Sequence, residues 1–385
     1  MPSFKYSKTV LEKNMQIKIY NNFSKELLKE FDENRKEFDY FPFQDLNWLK
    51  HWYETIGNKE KILLKIFIIY DEGIPILILP FCIKNFLIFN ILEWAGGLCS
   101  DYHGPIINKN FNKMNEVFFN KLWENITKEL SNIDLIHLQK QKKFQKTPNP
   151  FIDFFKNGIF HHSAYQLNFL QNLSPEKEKK IKKVISDNKR QYKRISKFGN
   201  ISFQDPDDKY QKKLIISKMI EQKEIRYIQT NTWNMFSKQK YKDFYNGLPE
   251  VNFKDLEVSV CALISKNEFI ACHVGLVHRD IFYYLMPSFD FLNWNVFSPG
   301  NILLEHLINK SKNKNLNIFD FTIGGEEYKK KWINEEINLY EHLSAKSFKG
   351  FLYLSIYVFL IFLKKNVFFN FLLKKMSIKV KSWLN

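Results

Sequence analysis

The sequence predicts a mixed α/β (α+β) protein built from two successive units with the same order of elements, followed by an apolar helix. Three observations carry this. Short runs alternate apolar and polar residues with a period of two, and the stretches between them repeat apolar residues at helical spacing. The order strand, two helices, three strands, helix, strand occurs once before residue 174 and again after it. The stretch Phe351 to Leu363, FLYLSIYVFLIFL, is uncharged and predominantly apolar and follows neither unit's pattern. The expected division is therefore 1–173, 174–347 and 348–385.

In the first unit, Met15 to Tyr20 alternates and reads as a strand. Ser24 to Glu37 and Asp45 to Ile56 have helical spacing, the second with Trp48, Leu49, Trp52 and Tyr53 along one apolar side. Ile62 to Tyr70 and Ile74 to Ile83 flank the turn Asp71-Glu72-Gly73 and predict a hairpin. A strand near Phe86 to Trp94, a polar loop from Ser100 to Pro105, a helix at Phe111 to Leu130 and a strand from Asp134 to Gln139 complete the set.

The second unit opens with a charged helix from Ser174, a capping residue before Pro175, to Phe198, stopped by Gly199. Strand Ile201 to Gln204 and helices near Asp207 to Ile225 and Phe236 to Tyr245 follow. Next come strands Leu256 to Ser265, Phe269 to His278 and Ile281 to Met286. Ser298-Pro299 starts a helix, pairing a hydroxyl cap with a residue whose fixed φ suits the first helical position. Gly300 leaves that start bare, so backbone N–H groups and a positive dipole end face outward, as an anion site needs; an ordinary capped helix would look the same. In the strand Leu316 to Ile323, Phe319, Phe321 and Ile323 share one face and Asp320 points to the other. Gly324-Gly325 ends it, Glu326 to Trp332 open another helix, and Leu339 to Lys346 is the last strand.

The run SPG-x-x-LL followed by FDF-x-x-G-x-E-x-YK-x-x-W resembles the signature of GNAT-fold acyltransferases of the CelD-like branch. These are bacterial proteins linked to exopolysaccharide and cellulose production and related to the Fem-type aminoacyltransferases. Phe289-Asp290 stands where that family has a Tyr-Asp pair. In the N-terminal half, FQDLNWLKHWYETIG from Phe43, ILPF from Ile78 and SDYHGP from Ser100 are similar to further family marks, so the resemblance spans roughly residues 40–345. It implies two tandem GNAT-like (acyl-CoA N-acyltransferase) domains with mixed sheets, of which only the second keeps the Ser-Pro-Gly helix start.

The resemblance also implies chemistry. Acetyl-CoA or another acyl-CoA would be the donor, its phosphates held at Ser298, Pro299, Gly300 and Asn301, with Lys329 nearby. Asp320, Glu326 and Tyr328 would be catalytic, Tyr328 as proton donor to the leaving thiolate. Asp320 could equally be structural, bound to backbone amides. Asp101, Tyr102, His103 and Asp290 would line the acceptor pocket, joined by His273, which a core position would explain as well. The implied acceptor is an amine or hydroxyl of an anionic sugar or lipid-linked envelope precursor. The chain departs from ordinary GNATs in lacking Q/R-x-x-G-x-G/A, which keeps aminoacyl-tRNA open as a donor and a Fem-type ligase as the alternative. A non-catalytic GNAT-like assembly factor is a third reading.

A net charge of +17 favours an anionic partner, although many Lys and Phe codons reflect base composition. A solvated face accounts for Lys189 to Lys197, so nucleic acid is not expected apart from tRNA under the alternative. Cys82, Cys99, Cys261 and Cys272 form no C-x-x-C pair and read as reduced residues. His161-His162 has no carboxylate or cysteine at ligand spacing, so no metal is expected. The first twenty residues carry no apolar signal run, which predicts a cytoplasmic protein. Only fourteen uncharged residues lie between Lys349 and Lys364, short of the roughly twenty a spanning helix needs. Residues 348–375 are therefore expected to lie in the inner face of the membrane as a peripheral anchor, or to pack on the protein's own core.

Overall fold

A computed structural model describes residues 9–10, 15–143, 146–155 and 158–365. The chain forms two compact units: residues 1–161 with 339–385, and residues 162–338. The sequence-based cut at 173/174 and 347/348 followed the linear order of elements; the contacts cut the chain elsewhere.

Unit 1 contains β1 (Met15–Tyr20), α1 (Lys25–Asn34), α2 (Leu46–Trp52), β2 (Leu63–Asp71), β3 (Ile74–Phe86), β4 (Phe89–Trp94), β5 (Ile106–Asn108), α3 (Glu116–Glu129) and β6 (Leu135–Lys142). Helix starts are capped as the residue types dictate: Ser24 accepts from Leu27 N, Asp45 from Asn47 N and Asn115 from Phe118 N. Strand β7 (Gly158–Asn168) leads into unit 2, which holds α4 (Pro175–Ile195), β8 (Ile201–Gln204), α5 (Lys209–Gln229), α6 (Gln239–Gly247), β9 (Leu256–Ser265), β10 (Glu268–His278), β11 (Ile281–Phe289), α7 (Pro299–Asn313) and β12 (Ile318–Ile323). Strand β13 (Glu335–Ala345) and α8 (Phe348–Lys365) end the described chain.

The strand ladders of the two units repeat one pattern. In unit 1, β1, β2, β3 and β4 pair antiparallel in turn, β4 pairs β6 in parallel, and β6 pairs the Leu339–Ala345 part of β13 antiparallel. In unit 2, β8, β9, β10 and β11 pair antiparallel, β11 pairs β12 in parallel, and β12 pairs Ala164–Asn168 of β7 antiparallel. Each unit therefore takes its final strand from across the chain: β7 follows β6 in sequence but completes unit 2, and β13 follows β12 but completes unit 1.

Burial explains the placement of the apolar stripes. In unit 1, Phe81, Trp94, Phe119, Leu122 and Phe151 form one cluster, with α3 laid on the sheet. In unit 2, Phe282, Phe319 and Phe321 of the sheet meet Leu303, Leu304 and Leu307 of α7. The four cysteines are buried and free.

Candidate functional site

The start of α7 departs from the expected cap. Ser298 is left-handed (φ 50°) and its side chain makes no capping bond; its carbonyl instead accepts from Asn301 N at 3.0 Å. The left-handed turn carries the hydroxyl off the position from which it could reach the first N–H groups, so Pro299 alone sets the helix start. A Cβ on Gly300 would stand 3.4 Å from Phe289 Cδ1, so the missing side chain lets the helix start lie against the end of β11. The α4 helix brings a cation here: the Arg194 guanidinium lies 4.9 Å from the Phe297 ring centroid. From α4, too, Asn188 Nδ2 donates to Asn301 O at 3.2 Å and to Glu305 at 2.7 Å, which fixes α7 in place. Arg194 thus lies by Phe297, two residues before a helix start at which the Asn301 N–H already bonds the Ser298 carbonyl.

Next to it, two strands part. The parallel ladder of β11 and β12 runs from Ile281/Ile318 to Tyr283/Asp320 and stops there. On its other side β11 bulges: Gly275 faces Tyr284 while Val274 faces Met286, which leaves Leu285 outside the ladder. Strand β12 is irregular at the same level, with Thr322 at φ 58°, an unfavourable conformation for a β-branched residue. Asp320 holds that irregularity. It is fully buried, accepts from Thr322 N at 2.8 Å and takes the Gln166 amide at 2.6 Å. Its expected role as proton acceptor gives way to the structural one, because both carboxylate oxygens already bind fixed donors inside the sheet.

Lys329 is likewise engaged. It is 4% exposed, donates to the carbonyls of Phe321 and Ile323 at 3.1 Å each, and pairs with Glu326 at 2.9 Å. It closes the end of β12 rather than reaching a donor's phosphates. Gly324 (φ 125°) makes this possible: a Cβ there would stand 2.5 Å from the Glu326 carboxylate and 2.9 Å from the Lys329 ammonium. Tyr284 of β11 interacts through its hydroxyl with Tyr328, which lies in the short helical turn Glu327–Lys330 after β12. Burial raises both phenol pKa values, with Glu326 adding to each, so both stay protonated.

The sequence reading missed the group that completes this cluster. Lys223 of α5 is half-buried, and burial, reinforced by the Lys329 charge and partly offset by Glu326, brings its amine down to about 8. Its spacing was the available signal, since Met219, Ile220, Lys223 and Tyr227 follow one apolar stripe. His273 lies on β10, wholly buried and stacked 4.4 Å from Tyr284. Neither ring nitrogen has a hydrogen-bonding partner among the described residues, and burial holds the ring neutral well below the usual histidine value. Being sealed, it does not line an acceptor pocket.

Other expected site residues serve the fold. Asp290 caps the short helix Phe291–Trp294, accepting from Leu292 N and Asn293 N at 3.1 Å. Tyr102 in unit 1 is fully buried against Phe41 and Phe43, with Lys142 Nζ 4.1 Å from its ring centroid. His103 is buried beside it and neutral for the same reason of burial; Asp101 is half-buried. His161 does meet a carboxylate, one far away in sequence: Glu341 lies 3.2 Å from His161 and 2.9 Å from His137. No group of three or more such side chains is arranged to hold a metal ion among the described residues.

Residues 180–330 match the family model described as acetyltransferase (GNAT) domain. No curated protein matches the chain. FemX is similar in structure at a TM-score of 0.52 and 9% identity, over 80% of this chain and 97% of that one. L-PGS from Bacillus licheniformis gives a TM-score of 0.49 at 10% identity, over 87% and 95%. A conserved protein of unknown function from Bacteroides thetaiotaomicron VPI-5482 gives 0.48 at 10% identity, over 78% and 90%. The fold is that of GNAT acyltransferases, with its parted strands and helix start in unit 2.

Proposed function

We propose that unit 2 transfers an acyl group, acetyl in the simplest case, from a CoA thioester to an amine or hydroxyl of a sugar or envelope precursor. The observation that carries this is the end of the β11–β12 ladder at Tyr283/Asp320, in the same unit as the start of α7; Lys223, whose amine burial brings down to about 8, is the base assigned to that opening. The donor's phosphates lie on the first-turn N–H groups of α7, with Arg194 as counter-charge. Its thioester enters between β11 and β12, where β11 past Tyr283 has no partner strand on that side among the described residues.

The acceptor's lone pair attacks the thioester carbonyl, and the new C–N or C–O bond forms as the carbonyl oxygen takes up negative charge. Backbone N–H groups at the Leu285 bulge are the donors we assign to that charge. Neutral Lys223 takes the acceptor's proton. The tetrahedral species collapses, the C–S bond breaks, and Tyr328, whose phenol is protonated at any working pH, can return a proton to the thiolate.

The acceptor class rests on the resemblance to the CelD-like branch. A second reading takes aminoacyl-tRNA as donor and a lipid-linked peptidoglycan precursor as acceptor, as for Fem-type ligases; the likeness to FemX and the basic face of α4 favour it. The test is thiol release from acetyl-CoA in the presence of amino sugars, with wild-type protein and Lys223→Met. Turnover that falls by about two to four orders of magnitude in the variant supports the assignment. Turnover that is unchanged, or absent with every CoA thioester but present with charged tRNA, refutes it.

A further inference from the structure

Over residues 348–359 the exposed side of helix α8 is apolar apart from Lys349 and Ser355. Gly350, Tyr353, Leu354 and Tyr357 recur at i, i+3, i+4 and i+7 and face unit 1, where Tyr353 packs on Phe89 with ring centroids 5.2 Å apart. The joint is built rather than loose. A Cβ on Gly350 would overlap the Asp134 carbonyl at 1.7 Å, Ser347 donates to the Asp134 carboxylate at 2.5 Å, and Tyr357 donates to Glu341 at 3.3 Å. The opposite side carries Phe348, Phe351, Leu352, Ile356 and Phe359, between 40% and 86% exposed. A helix serving only this core would carry charges on that side.

A second apolar feature adjoins it. The hairpin of β3 and β4 closes through Phe86 and Phe89, which pair with each other and whose side chains pack in the same cluster as Tyr353. Its tip is Leu87-Ile88, 84% and 64% exposed. Leu87 is held at φ 55°, a turn position where glycine or asparagine is the cheap choice. A bulky apolar residue placed there against backbone preference and against water is explained if the tip does not face water. Exposed Lys346 and Lys349 border the helix at its start, and Lys364-Lys365 end it. None of the described helices is long and apolar enough to cross a membrane.

We propose that the bare face of α8 and the Leu87-Ile88 tip together form a docking surface for an anionic lipid bilayer, inserted to headgroup depth with the lysines on the phosphates. The apolar face fits the acyl boundary, and the bordering cations choose a lipid surface over a second copy of this basic chain, whose charge of +17 would oppose self-association. The inference does not depend on the donor or acceptor of unit 2.

The test is co-sedimentation of the full chain with phosphatidylglycerol-containing vesicles and with pure phosphatidylcholine vesicles. Binding to the first, weakened by salt and absent from the second, is expected. Leu87→Asp with Ile88→Asp, and separately Phe351→Asp with Phe359→Asp, should each reduce partitioning at least about tenfold, because each removes two apolar side chains from the buried set. The tip variant changes only an exposed turn and so remains informative if the helix variant fails to fold. Equal sedimentation with and without vesicles overturns the proposal. So does a concentration-dependent dimer, seen by light scattering, that the same substitutions abolish.

Discussion

The Asp320 carboxylate accepts the Gln166 side-chain amide at 2.6 Å, joining β12 to β7 inside the sheet of unit 2. The same carboxylate takes Thr322 N at 2.8 Å and so stabilises a threonine at φ 58° where the strands part. Asp320→Ala leaves two buried donors unpaired and should cost about 2–4 kcal/mol, lowering the melting temperature by several degrees. The fraction that stays folded should turn over at the wild-type rate. A stable variant whose single-turnover rate falls a hundredfold would return Asp320 to the chemistry.

As the proposed base, Lys223 should set the pH dependence of the rate. Its amine titrates at about 8 in the folded chain against an ordinary 10.5, so the rate should rise with pH and level off above about 8 as the neutral base accumulates. Lys223→Met should remove that limb. Stability carries the matching sign: below about pH 8 the charged amine bears its burial cost in full, and from about 8 to 10.5 the unfolded chain binds more protons than the folded one, so stability rises with pH. A wild-type rate profile flat from pH 6 to 10 would exclude Lys223 as the base.

In unit 1, burial would raise the Glu341 carboxyl, yet hydrogen bonds and charge from His137 and His161 outweigh it and hold the group at about 2 against an ordinary 4.5. The stability this contributes is present above pH 4.5 and fades as pH falls towards 2. Glu341→Gln should therefore destabilise unit 1 at neutral pH and flatten its acid limb. Urea midpoints at pH 3 and pH 7 check this; equal losses at both pH values would contradict it.

Much of the fold was legible. The helices near Ser24 and Asp45, the cap at Ser174, the hairpin at Asp71-Glu72-Gly73 and the repeated element order all read directly, because each is set by local periodicity and turn chemistry. The exchange of β7 and β13 was not legible, since pairing between strands distant in sequence leaves no local mark. Less of the candidate site was legible. The motif pointed to the end of β12 and the start of α7, but it assigned chemistry to Asp320 and Lys329, whose charges are met inside the fold by Thr322 N and by the carbonyls of Phe321 and Ile323. Lys223 was lost among the many lysines of a charged helix. Ser298 looked like a cap because its residue type suits one; its left-handed backbone decided otherwise.

The central claim is that the bare start of α7 holds the phosphates of a CoA thioester, and calorimetric titration of acetyl-CoA tests it most directly. Wild-type protein should bind. Gly300→Glu should keep its melting temperature within a few degrees and lose binding, because a carboxylate then occupies the phosphate position beside Arg194. Lys223→Met should bind as wild type does. Unchanged acetyl-CoA affinity in a folded Gly300→Glu protein would contradict the account.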